Sequence, residues 1–301
     1  MGRLMQRVRE GHYLVSDGAW GTFLQAKGLK PGECPEQWNI DHPDEVEDIA
    51  KQYVLAGADM VETNSFGANR YKLEYFGFED NAYALNKAAA ECSRRAVGPD
   101  GLVLGSVGPT GKFLITGEVT EEQLTQTFEE QTHGLRNGGA DAIIIETMTD
   151  LEEAIIAVKA AKSTGLDVVC TMTFDLMPDG SYRSMMGVAP AEMVEPLLEA
   201  GADIIGSNCG NGSAGMVAIV NEIRTVNPTV PILIHANAGM PLYENGQTVF
   251  PETPAIMASH VDALLEAGVN ILGGCCGTSP DHIQAIRERI NVKSTPKMTL
   301  V

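Results

Sequence analysis

The chain is expected to fold as one α/β domain, a (β/α)8 TIM barrel. Three observations lead there. Eight short apolar runs are spread over 301 residues, segments of helical periodicity lie between them, and a Gly-Ala-Asp phrase or its variant precedes four of the runs. A closed barrel of eight strand–helix units needs about 250 residues, so this length holds one such barrel.

The runs, in order, are Tyr13–Ser16, Asp59–Thr63, Leu102–Ser106, Ala142–Glu146, Val168–Phe174, Asp203–Ser207, Pro231–His235 and Asn270–Gly273. Several are continuously apolar, as expected of strands covered on both faces. The recurring phrase spans Ala56–Met60, Gly138–Ala142, Ala200–Ile204 and, as Gly-Val-Asn, Ala267–Ile271. Its glycine supplies the left-handed residue that ends a helix, and the chain then enters a buried strand. Within Leu151–Thr164, the residues Leu151, Ala154, Ile155, Val158 and Ala161 form one stripe, with Glu152, Glu153, Lys159 and Lys162 off it. Asn81–Val97 behaves similarly and Glu121–Asn137 more loosely. The barrel is assigned to residues 1–290. Residues 291–301, which include Pro296, are expected to form an extended or poorly ordered tail.

A net charge of −19 argues against nucleic-acid binding, which depends on neutralising phosphates, and favours solubility. No apolar run approaches the 18 or so residues of a membrane span, and Met1–Gly11 has no apolar signal core. Six sparse cysteines, two of them consecutive, do not make a disulfide framework in a chain this long. The protein is placed in a reducing cytoplasm.

In such a barrel the chemistry belongs at the C-terminal strand ends. Cys209 follows the sixth run, and Cys275 and Cys276 follow the eighth. Three thiolates delivered to one mouth suit a zinc ion with one open position, able to bind and activate a thiol. Adjacent strand residues point to opposite faces, so the chain must turn at the pair; Gly273, Gly274 and Gly277 permit that. The alternatives are a vicinal disulfide or inert thiols. Cys92 and Cys170 read as small core residues, and Cys34 lies in a loop without an evident partner. Asn237 is either a placeholder ligand or a turn residue, and Glu146 either binds an ammonium group or serves as a helix N-terminal acid. The turn Asp17–Thr22, with Ala19, Trp20 and Gly21, offers amides to a carboxylate, and Asn64, just after the second run, is a further expected substrate contact. A zwitterionic amino-acid substrate follows. His235 is next to the mouth, while His260 and His282 fit helix surfaces.

These residues resemble the homocysteine S-methyltransferase family, from Asp17–Thr22 through Thr63–Gly67, Gly108–Gly111 and Glu146–Thr147 to Gly273–Thr278. Within it, the N-terminal homocysteine-binding domain of the cobalamin-dependent methionine synthases is the nearest likeness, including Asn237–Gly239 followed by Pro241. The resemblance implies zinc on Cys209, Cys275 and Cys276, and homocysteine bound through its sulfur. Asp17, the Ala19–Thr22 turn and Glu146 would then contact the amino-acid end. Gly277 stands where members using S-methylmethionine or S-adenosylmethionine usually carry arginine. Two loops depart from the family's pattern: Ser207–Gly212, and Ser184–Pro190 with its paired methionines. The chain has no room for folate- or cobalamin-binding modules. A methylcorrinoid such as methylcobalamin is therefore expected from a partner protein or a missing domain. Rival readings keep the chemistry with S-methylmethionine, S-adenosylmethionine or betaine as donor. Others replace it by a phosphate-binding barrel lyase using Gly273–Ser279, or by a scaffold with structural zinc.

Overall fold

The computed structural model describes residues 2–244 and 247–294. Eight parallel strands form one sheet: β1 Leu14–Val15, β2 Met60–Glu62, β3 Leu102–Val107, β4 Ala142–Met148, β5 Asp167–Met172, β6 Ile204–Gly212, β7 Ile232–Asn237 and β8 Ile271–Gly274. Each pairs with its sequence neighbour from β2 round to β8, and β8 returns to β1 with Leu14 opposite Ile271. All eight expected runs are strands of a nearly closed (β/α)8 barrel. Between them lie α1 Pro43–Leu55, α2 Ala82–Val97, α3 Glu121–Asn137, α4 Leu151–Lys162, α5 Val194–Ala200, α6 Ser213–Val226, α7 Val261–Glu266 and, last, α8 Pro280–Ser294.

The recurring phrase has a structural job beyond capping. Gly57, Gly139, Gly201 and Gly268 all adopt positive φ, from 93° to 108°. The acidic or amide residue two positions on then grips the preceding strand at both ends of one residue. Asp59 N–H donates to Val15 O at 2.7 Å while Asp59 Oδ2 accepts from Val15 N at 2.8 Å. Asp141 holds Val103, Asp203 holds Val168 and Asn270 holds Ile232 in the same way. At the β1–β2 seam this clamp, with Glu62 N donating to Asp17 Oδ2 at 2.8 Å, closes the barrel.

Alternation sorts the strand residues into two layers. Leu102, Leu104, Ala142, Ile144, Val169, Ile204, Leu233 and Ile271 fill the lower interior. The helix Arg3–Arg9 plugs it from below with Leu4, Met5 and Val8, its start fixed by Gly2 N and Met5 N donating to Asp167. Their neighbours Val103, Ile143, Ile145, Val168 and Ile205 face outward into the helix layer. Cys92 and Cys170 are buried there, as expected.

Some features differ from the sequence reading. Residues 291–294 continue α8 as helix, because the strip Ile283, Ile286 and Ile290 still packs on the barrel; the remainder of the expected tail, 295–301, lies outside the described residues. His282 is buried rather than on a surface, bonded to Ser279 and to Glu252 O at 2.9 Å, and His260 pairs with Ser213 Oγ at 2.8 Å. Among the described residues, no helix is long and apolar enough to cross a membrane.

Candidate metal centre and substrate cavity

β4 and β6 run beyond their expected ends, and both extensions are irregular, with register shifts between Ile145 and Met148 and between Asn208 and Gly212. Each contains a non-glycine residue at positive φ: Thr147 at 59° and Cys209 at 58°. Such backbone is costly, above all for a β-branched residue, and persists only where its surroundings impose it. Asn208, fully buried, does so for Thr147. Its Oδ1 accepts from Thr147 N at 2.7 Å and from Thr171 Oγ1 at 2.7 Å, while its Nδ2 donates to Thr147 Oγ1 at 2.7 Å. The same amide reaches Glu146 Oε2 at 3.3 Å and Cys275 Sγ at 3.9 Å.

All six cysteines are free. The Sγ atoms of Cys209, Cys275 and Cys276 lie within 4.8 Å of one another. The edge of a tetrahedral zinc–sulfur site is about 3.8 Å, so small side-chain rotations complete it. The turn at the pair forms as expected. Cys275 N donates to Ala236 O at 2.8 Å, Thr278 Oγ1 donates to Cys275 O at 2.7 Å, and Gly277 takes φ 80°. Hydrogen bonds from the Cys275 and Cys276 thiols push the Cys209 thiol's pKa down, and its partners move up as they keep their protons. A divalent cation bound there would favour the thiolate form of all three. Asn237 is buried beside Cys209, to which its amide N–H donates, while its Oδ1 has no partner; turned over, the amide would offer that oxygen as a fourth, exchangeable ligand. Three soft donors and one neutral oxygen fit zinc.

The cysteines open on a cavity of 540 Å³ lined by Ala19, Trp20, Gly21, Thr22, Asn64 and Glu146, among others. Two residues of the sequence reading stand elsewhere. Asp17 lies behind the lining, its Oδ2 accepting from Glu62 N and Trp20 Nε1 at 2.8 Å, so it fixes the seam and the indole. Asn237 is on the metal side rather than the cavity wall. Asn64 lines the cavity, but its amide is spent on Pro35 O and Asn39 Oδ1.

Glu62 and His235 also line the cavity. The sequence places His235 next to the mouth and assigns Glu62 no role. Burial, then the charge of Glu62, raises the Glu146 pKa well above its ordinary value, against the lowering effect of the Ser106 hydroxyl. Burial, then Asp17, does the same to Glu62, and burial chiefly raises Asp17. Burial lowers the pKa of His235, opposed by Asp17 and Glu146. His235 Nδ1 stands 3.3 Å from Glu62 Oε1, an ion-pair distance without hydrogen-bond alignment, so Glu62 Oε1 and His235 Nε2 both remain unpartnered. A cavity lined by the buried acids Glu62 and Glu146, one imidazole and a sulfur cluster suits a cationic ligand that also carries a soft atom.

The sequence profile of the homocysteine S-methyltransferases matches residues 14–290, and the chain belongs to that family. It is 33% identical over 302 residues to a methionine synthase of Mycobacterium leprae, covering 94% of this chain but 24% of that protein. The chain thus spans about a quarter of the methionine synthases it resembles. It is 28% identical to a betaine–homocysteine S-methyltransferase 1 of Danio rerio, covering 96% of this chain and 76% of that one. In fold it matches the metallated form of the homocysteine methyltransferase MmuM of Escherichia coli, with a TM-score of 0.78 and 22% identity over 95% of this chain and 99% of that one.

Proposed function

We propose that this chain is a zinc-dependent methyltransferase that carries a methyl group from a methylcorrinoid to the sulfur of homocysteine, giving methionine. One observation carries the reading: three free sulfurs within 4.8 Å open on a cavity whose interior is acidic. Cys209, Cys275 and Cys276 would hold the zinc, with Asn237 Oδ1 a candidate fourth ligand. Zinc bound there supplies the Lewis acidity that keeps a thiol ionised at neutral pH.

The rest falls to the chain's own residues. Glu146 accepts from the substrate ammonium, and Ser106 and Asn208 hold its carboxylate in place. The helix Gly21–Ala26 begins at the cavity wall, so its first amides are free to meet the substrate carboxylate. Trp20, fixed by Asp17, forms one wall of the cavity. In the transfer, a lone pair of the substrate sulfur forms the new S–CH3 bond while the donor atom departs with the old bonding pair. At Gly277, φ 80°, a Cβ would lie 2.1 Å from the Phe250 ring, so the arginine usual in members using S-methylmethionine or S-adenosylmethionine does not fit here. That supports a methylcorrinoid or betaine over S-methylmethionine and S-adenosylmethionine as donor. The likeness to a betaine–homocysteine methyltransferase over 76% of its length favours betaine as the second reading.

The test supplies zinc-reconstituted protein and homocysteine with methylcobalamin, betaine or S-methylmethionine separately. Methionine from methylcobalamin alone is expected. Methionine from betaine alone would reassign the donor, and none from any donor would remove the reading.

A further inference from the structure

We propose that Thr278 and Tyr53 are positioning residues that clamp the Ala19 backbone to the metal loop, and so fix the span by which the site prefers homocysteine to cysteine. The proposal rests on the thiol-methylation reading and deepens its substrate site. β1 pairs with β8 through Leu14 and Val15, and Gly274 N donating to Asp17 O at 2.8 Å continues the joint. Beyond it the two loops part. One runs to the cavity wall at Ala19 and Trp20, the other to the sulfurs of Cys275 and Cys276. The buried Thr278 hydroxyl rejoins them. Its O–H donates to Cys275 O at 2.7 Å, and its oxygen accepts from Ala19 N at 3.1 Å. The carbonyl of Ala19 accepts in turn from the Tyr53 hydroxyl, on α1, at 2.7 Å.

The packing leaves this clamp little play. A Cβ at Gly18 would lie 2.6 Å from Thr278 Oγ1 and 3.1 Å from the Tyr53 hydroxyl, so the backbone passes between them with no room for a side chain. The Tyr53 ring meets Phe23 edge-on at 5.8 Å, and Phe23 belongs to the helix Gly21–Ala26 that begins at the cavity wall. Burial, then the charges of Asp17 and Glu62, raise the Tyr53 pKa, so its O–H remains to donate. The Ala19 amide, spent on Thr278, is not itself a contact for the substrate carboxylate. A substrate held by its sulfur at one end and by the turn at the other must match the distance between them. One hydroxyl touches both loops, and it sets that distance. Cysteine is one methylene shorter than homocysteine. A rigid span rejects it, whereas a loosened turn can follow it towards the metal.

The experiment titrates zinc-loaded protein with L-homocysteine, L-cysteine and 2-mercaptoethanol, the last reporting the metal end alone. Calorimetry reads affinity, and zinc per chain is measured after each titration. Thr278→Val keeps the side-chain shape and removes both hydrogen bonds. It should weaken homocysteine about tenfold or more, leaving 2-mercaptoethanol affinity and zinc content unchanged. The preference for homocysteine over cysteine should fall from about tenfold or more to about threefold or less. Thr278→Ser restores the hydroxyl and should recover most of the affinity and the preference. Equal losses for homocysteine and 2-mercaptoethanol, an unchanged preference, or no rescue by serine would overturn the proposal. If Thr278→Val does not fold, Tyr53→Phe, which releases the Ala19 carbonyl, replaces it with the same expected losses and the same overturning results. Parent protein that binds homocysteine no more tightly than cysteine would overturn the proposal alone. Parent protein that binds none of the three thiols would overturn both it and the methylation reading.

Discussion

Replacing Glu146 by glutamine should weaken homocysteine binding and, at the same time, stabilise the empty protein. The carboxylate is buried, and Ser106 and Asn208 are its hydrogen-bond partners. Glutamine keeps both, since the Ser106 hydroxyl can accept as well as donate and the amide oxygen can turn to Asn208. What disappears is the charge. A hydrogen bond to a charged partner is worth about 1.5–3 kcal/mol, so the homocysteine dissociation constant should rise roughly 10- to 150-fold. For the empty protein the sign runs the other way. Burial and Glu62 raise the folded-state pKa of Glu146 well above its ordinary value, so the unfolded chain loses its proton first as pH rises. The folded state therefore loses stability from the ordinary carboxylate pKa upward, until the folded group itself ionises. Glu146→Gln removes that penalty. Its melting temperature should exceed the parent's at pH 8 and match it near pH 4. Calorimetric titration and thermal melts at the two pH values read both effects. Unchanged homocysteine affinity, or a lower melting temperature at pH 8, would refute the reasoning.

Other perturbations have equally definite outcomes. Alanine at Cys209, Cys275 or Cys276 should each abolish tight zinc retention, read as metal per chain after dialysis against a weak chelator. Asn208→Ala leaves Thr147 N and Thr171 Oγ1 without their buried acceptor and should cost about 2–5 kcal/mol in denaturant unfolding. Asp141→Ala removes the acceptor for Val103 N and the ion-pair partner of Arg94 and Arg3, a loss of about 2–4 kcal/mol by the same measurement.

The strands and the metal cluster were legible because each rests on a local signal: an apolar run, a helix-ending glycine, a sulfur pair flanked by glycines. What escaped depends on register around the barrel. Glu62, Ser106 and His235 come from β2, β3 and β7, and nothing local in any one strand says that all three line one cavity. Asp17 was read as a ligand contact because it opens the turn that lines the cavity, yet its oxygens close the β1–β2 seam. The irregular end of β4 is imposed by Asn208 reaching over from β6, which propensity cannot anticipate. The repeated Asp and Asn side chains were read only as strand entrances, since their partners lie about 40 residues away on the preceding strand.

The central claim is that a metal held by three cysteines takes the substrate by its sulfur. X-ray absorption at the zinc edge, on reconstituted protein before and after adding L-homocysteine, tests it directly. Three sulfurs and one lighter ligand should become four sulfurs, whereas an unchanged first coordination sphere in protein saturated with homocysteine would contradict the account.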